Sequence, residues 1–130
     1  MFPAILVGII IALMVCFMVW KMSRRRLLSG SDLKRVRDAW NHVQQTREPS
    51  LQILEADKVL DLALTKLGYT GSLGEKLKKA GPRFRDINAV WSAHKLRNTL
   101  AHEVKAAPQS DQVERALRAF RTALGDLGMK

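Results

Sequence analysis

The first thirty residues of this 130-residue chain contain no aspartate or glutamate, although the whole chain has 12. Four of the 22 lysines and arginines lie there, so the net charge of +10 divides into +4 for residues 1–30 and +6 for the rest. That asymmetry separates the chain into two parts of different character. Cysteine is nearly absent too. Cys16 stands alone, which excludes an internal disulfide framework and a thiolate cluster for structural zinc. Aromatic residues make up only 6%, too few for the stacking platform of a single-strand-binding protein. Alternating strand patterns, internal repeats and low-complexity tracts are missing, as are a P-loop and a G-x-G-x-x-G fingerprint. The portion after residue 30 suffices for one modest core, which rules out a second large domain.

What is present begins with an apolar run. Ala4 to Trp20 reads A-I-L-V-G-I-I-I-A-L-M-V-C-F-M-V-W, and no charged side chain precedes Lys21. As a helix, a run of this length rises roughly 26–30 Å, enough to cross a bilayer core. It has no polar face, which a soluble helix would need. Trp20 sits where an interfacial aromatic belongs, and Lys21, Arg24, Arg25 and Arg26 follow. Positive charge on that flank keeps the carboxyl side in the cytoplasm and turns the amino terminus outward. A cleaved signal peptide carries its charge before the apolar run and closes it with small residues. Here the charge comes after, and the run ends in Phe17, Met18, Val19 and Trp20. The expected organisation is a single-pass anchor in the inner membrane over residues 1–22, a basic juxtamembrane linker over 23–30, and a cytoplasmic domain over 31–130. The lipid bilayer is thus the first expected partner, and the basic cluster serves as its topology signal.

Past Gly30, the periodicities are helical. Ser31 or Asp32 can cap a helix carrying Leu33, Val36, Ala39, Trp40 and Val43 on one stripe. Pro49 suits the first turn of a second helix that runs to about Leu67, before Gly68. This one is apolar around much of its circumference and should be central. Ser72 and Glu75 form a capping-box pattern for a short third helix ending at Gly81-Pro82. A fourth is expected from about Asp86 to Val104, and Ser110 caps a fifth with Val113, Leu117, Phe120, Leu124 and Leu127 on one face. Arg115, Arg118 and Arg121 line its other side. The fold class is all-α: one transmembrane helix, then an up-and-down bundle of four to five helices.

The fourth bundle helix carries the chemistry. Ala89, Val90, Ala93, Leu96, Leu100, Ala101 and Val104 share a broad apolar arc, and Arg97 falls inside it. A guanidinium there must find a carboxylate or border a cleft or second subunit. Asp57 and Asp61, i and i+4 along the second helix's core edge, are the candidate partners; Glu55 is a further carboxylate nearby in sequence. His94, Asn98 and His102 recur every fourth residue as a polar stripe beside Arg97. His94 and His102 stand about 12 Å apart along the axis, too far to share a metal ion, and no metal or other cofactor is expected.

Arg97-Asn98-Thr99-Leu100-Ala101-His102 resembles the motif of the HEPN superfamily: Arg, a polar residue that is often Asn, a few more residues, then His. The order of helices, with the motif late and one helix after it, is similar to that family's small bundle. So are L-E-A-D-K-V-L-D-L-A-L before a glycine and L-R-N-T-L-A-H-E after it. The resemblance covers roughly residues 31–127. It implies a homodimer with two motifs facing one cleft and, in active members, a metal-independent endoribonuclease. Carried over, Arg97 would hold the scissile phosphate and its developing charge. His102 would act as acid or base in attack by the RNA 2′-hydroxyl, a task suited to imidazole near neutral pH. Asn98 would orient His102 or the phosphate, with His94 and Asp57 in support. A variant motif with Tyr after the His is absent, since Glu103-Val104-Lys105-Ala106 follows, so nothing supports adenylyl transfer.

Many members of that family bind without cutting. The alternative is therefore a non-catalytic, membrane-tethered dimerisation and interaction module in which the polar stripe specifies the dimer. Lys76, Lys78, Lys79, Arg83 and Arg85, with the arginines of the last helix, offer a basic surface for RNA phosphates, for anionic lipid, or simply for water. A regulatory protein partner, as for a toxin, would not be visible in one sequence. If residues 1–22 are an uncleaved anchor, alkaline carbonate should leave the full chain in the membrane pellet and release a chain lacking them. Recovery of a mature chain cut near Trp20 would instead mean a signal peptide.

Overall fold

The uncharged amino-terminal stretch forms one unbroken helix. A computed structural model of the chain, which describes residues 2–23, 26–103 and 107–130, places α1 over Phe2–Ser23. Phe2–Trp20 has a mean hydropathy of 2.9 and none of it packs into the bundle's interior, so by length and composition it is a membrane span or a signal sequence. Among the described residues every other regular element is also helical. These are α2 (Gly30–Gln45), α3 (Pro49–Lys66), α4 (Leu73–Ala80), a 3-10 turn (Gly81–Arg83), α5 (Ile87–His102) and α6 (Ser110–Asp126). The basic residues Arg24 and Arg25, and Val104 as the expected end of α5, lie outside the described residues.

Local chemistry explains most boundaries. α3 starts where Glu48 accepts from the amides of Ser50 and Leu51, with Pro49 in the first turn needing no acceptor. It ends as Tyr69 N donates back to Leu64 O at 3.0 Å across Gly68. Ser72 Oγ accepts from Glu75 N at 3.2 Å to start α4, and Asp86 caps α5 through Ala89 N at 3.0 Å. Two expected caps are corrected. α2 begins two to three residues early at Gly30, with Ser29 at the cap position, so Ser31 and Asp32 lie in its first turn, Asp32 as a favourable charge rather than a cap. In α6, Ser110 is the first helical residue; Gln109 precedes it and donates its amide to Gln112 Oε1 at 3.1 Å.

α3 is the hub. Ile53, Ala56, Leu60, Ala63 and Leu64 are wholly enclosed, and α2, α4, α5 and α6 all pack on this helix. α2 and α3 are joined by three residues and α5 packs along α6 after a short connection, so each pair is antiparallel. Val36, Leu77, Phe120, Leu124 and Leu127 close the core around it. α5 is less buried than its apolar arc suggests. Val90 and Ala93 are covered, Leu96 and Leu100 only partly, and Ala101 is exposed.

Residues 127 and 128 fold back onto the segment that precedes α2. Leu28 is 4% exposed, and its amide donates to Leu127 O at 2.8 Å. Gly128, at φ 118°, passes so close that a Cβ there would sit 3.0 Å from both the nitrogen and the oxygen of Leu28. Gly68, at φ 97°, has open space around it. Gly128→Ala should therefore lose more stability in urea titrations, about 2–3 kcal/mol, than Gly68→Ala at about 1 kcal/mol. Equal losses would show that the close approach of residues 28 and 128 contributes nothing.

Candidate functional site

Two carboxylates one turn apart on α3 organise the polar interior. Asp57 is 5% exposed. A buried carboxylate must be paired and hydrogen-bonded, and α5 supplies both partners. His94 Nδ1 lies 2.8 Å from Asp57 Oδ1, and Arg97 Nε lies 3.5 Å from Asp57 Oδ2. The second contact is Coulombic only, since Arg97 Nε is buried with no hydrogen-bond partner. The guanidinium also donates from Nη1 to Asn98 Oδ1 at 3.2 Å. Asp61, the next carboxylate along, takes Lys76 Nζ at 2.6 Å, and that ammonium also donates to Thr65 Oγ1 at 2.7 Å.

Of the five residues singled out in the sequence, four therefore meet. Asp57, His94, Arg97 and Asn98 line one cleft of about 390 Å³, together with Lys58, Asp61 and the start of α4 at Ser72, Leu73 and Gly74. Arg97 keeps 30% of its side chain exposed there, whereas His94 keeps 13%. His102 does not line this cleft. It is the last residue of α5, exposed, and without a hydrogen-bond partner among the described residues. Glu55 is also elsewhere, paired with Lys58 at 3.2 Å.

The arrangement has a definite chemical capacity. The Asp57 carboxylate fixes which way the His94 ring points, as an orienting group does for an acid or base. Arg97 is held on one side and open on the other, which leaves guanidinium donors facing the cleft. The nearby start of α4 adds a helix amino terminus, whose orphan amides favour anions. No metal-ligand geometry is needed for any of this.

Two features escaped the sequence reading. Lys76 is 5% exposed and belongs to the interior, not to the basic surface. Its spacing with Leu73, Leu77 and Ala80, three or four residues apart on one helix face, was the signal. The arginines expected to form that surface are mostly paired. Arg85 holds Asp126 at 3.0 Å, Arg115 holds Asp111 at 3.2 Å, and Arg118 holds Glu114 at 3.1 Å. Arg85, Arg115 and Arg118 border a separate groove of about 430 Å³ between α5 and α6, floored by Ala89, Val90, Ala119 and Ala123.

No family model matches the chain, and neither a curated protein nor a solved structure does. The site thus stands on its own geometry. Asp57→Ala would leave His94 and Arg97 without their carboxylate and should lower stability by about 2–4 kcal/mol. That is the lower range for breaking a buried pair, because Arg97 can still reach water. Chemical denaturation would measure it, and Asp57→Asn, which keeps an oxygen for the His94 ring, should lose less.

Proposed function

We propose that this chain is a single-pass membrane protein whose HEPN-like bundle lies on the cytoplasmic side, binds RNA as a homodimer and cleaves it without metal. One observation carries the reading: Arg97 is tethered by a buried carboxylate while nearly a third of its side chain stays open to a cleft. A cation whose position is set before the ligand arrives can stabilise charge that develops on a phosphate. In the proposed reaction the RNA 2′-hydroxyl attacks the adjacent phosphorus. An imidazole takes its proton, and the 5′-oxygen leaves with a proton from a second acid, giving a 2′,3′-cyclic phosphate.

Within one chain, His94 is the imidazole that shares the cleft with Arg97, and Asp57 orients it. His102, exposed at the end of α5, would serve across a dimer, as the resemblance implies. Asn98 steadies the guanidinium through its side-chain oxygen.

A second reading has its own observation. Asp57 neutralises Arg97 and joins α3 to α5, which by itself accounts for a cation and an imidazole at this position. The bundle is then a non-catalytic, membrane-tethered interaction module. The two readings part in one assay: the full chain in mild detergent, incubated with mixed RNA in EDTA. The enzyme reading expects 2′,3′-cyclic ends from the wild type and a loss of about 10²-fold or more in Arg97→Ala and in His94→Ala. Loss in His102→Ala as well would place that imidazole in the chemistry. A folded wild type that leaves RNA intact at micromolar concentration would favour the module.

A further inference from the structure

Residues 26–28, just before the bundle, are held against it. Arg26 donates a guanidinium hydrogen to Lys66 O at the end of α3, and Arg83 donates one to Arg26 O. Leu28 is buried and bonded to Leu127, as described above. The chain therefore enters the bundle at one end only, built from the carboxyl termini of α3 and α6, the start of α2 and the 3-10 turn. Ser23, the last residue of α1, is three residues from Arg26. Three residues reach at most about 10 Å. A headgroup layer is roughly 5–8 Å deep. With α1 across a bilayer, this end of the bundle has to rest at the headgroups.

The surface it would present suits that position. Leu27 is 51% exposed; among the described residues outside α1, it and Leu51 are the large hydrophobic side chains left in water. Exposed Arg26 is next to it in sequence, Lys66 stands at the end of α3, and Arg83 lies 6.0 Å from the centre of the Tyr69 ring. The acid found against this group is Asp32, 3.9 Å from Lys66. The sequence adds Lys21, Arg24 and Arg25 just before it. An exposed aliphatic side chain at the same end of the bundle as three cations and one aromatic matches the layering of a membrane surface. There, apolar atoms reach the acyl boundary and cations meet lipid phosphates.

We propose that this end of the bundle is a docking face for anionic phospholipid headgroups, with Leu27 inserted among them and Arg26, Lys66 and Arg83 on their phosphates. The inference rests on α1 spanning a membrane and is independent of any activity at Arg97. Docking holds the bundle in one orientation on its short tether.

The test is amide hydrogen exchange on the full chain in lipid nanodiscs, made of phosphatidylcholine alone or mixed with phosphatidylglycerol. Peptides covering residues 26–33, 64–71 and 81–86 should exchange more slowly in the anionic discs, and 1 M salt should remove most of that protection. In Leu27→Ser with Lys66→Gln, the protection should fall by about fivefold or more. Both backbone carbonyls that receive Arg26 and Arg83 remain in this variant, and unchanged exchange in α3 and α6 would show that it folds. Equal exchange in the two disc types overturns the proposal. So does protection by a short RNA with none by anionic lipid, which would assign the face to nucleic acid. Failure of the chain to enter discs at all would remove the membrane span, and the docking face with it.

Discussion

A carboxylate buried on the most enclosed helix of a bundle has to be matched by cations, and that requirement sets how the rest of this domain is arranged. Asp57 draws His94 and Arg97 of α5 against α3, one on each carboxylate oxygen. One turn further, Asp61 draws Lys76 and so seats α4. The two acids thereby fix two different helices on the same side of α3, and the space between those helices is the cleft. Apolar packing alone is tolerant of small rotations. A buried acid held by an imidazole and a guanidinium is not, because a turned α5 would strand the Asp57 carboxylate away from Arg97.

The same pairing limits how the cleft can attract a ligand. Its acidic members, Asp57 and Asp61, oppose Arg97, Lys58 and the buried Lys76, and Lys58 is itself shared with Glu55. The local charge is close to balanced, so long-range steering of a polyanion to this cleft is weak. What remains is short-range recognition by the open edge of Arg97, the Asn98 amide and the start of α4. Under the RNA reading, affinity must come from contacts outside the cleft. Arg115 and Arg118 of α6 are exposed but each leans on an acid one turn away, an arrangement that water and salt loosen easily, while half-buried Arg121 is taken up by Met129 O.

Much of this was legible in the sequence, for a common reason: helix periodicity reports direction. It identified α3 as central, offered Asp57 or Asp61 as the partner of Arg97 and put His94, Asn98 and His102 on one stripe. Direction does not report depth along the axis. The stripe is about two turns long, the cleft occupies one part of it, and α5 loses cover beyond Leu100. His94 is therefore enclosed while His102, on the same stripe, is exposed. Lys76 lies on the apolar face of α4 as Arg97 lies in the apolar arc of α5, and so needs a partner equally. Residues 26–29 read as a linker because nothing local marks Leu28 as buried. Its cover comes from the other end of the chain, a hundred residues away.

That return of the chain also decides which parts of the domain can face which partner. α6 runs from Ser110 to the Leu28 contact, a rise of about 25 Å. α5 lies antiparallel to it, starting beside Asp126 and finishing at His102. His102 therefore sits at the end of the bundle opposite the point where the tether attaches. The residues of the proposed docking face and the exposed part of the Arg97 motif are separated by most of the length of the bundle. A lipid surface and a large anionic ligand would then not compete for one basic patch, since each has its own end. If α1 spans a membrane as proposed, a second copy in that membrane would approach with parallel orientation, bringing exposed ends of α5 to the same height. Two His102 edges at equal height are what a shared, two-chain cleft would require, so under that reading the anchor would contribute to the proposed site by restricting how two copies can meet.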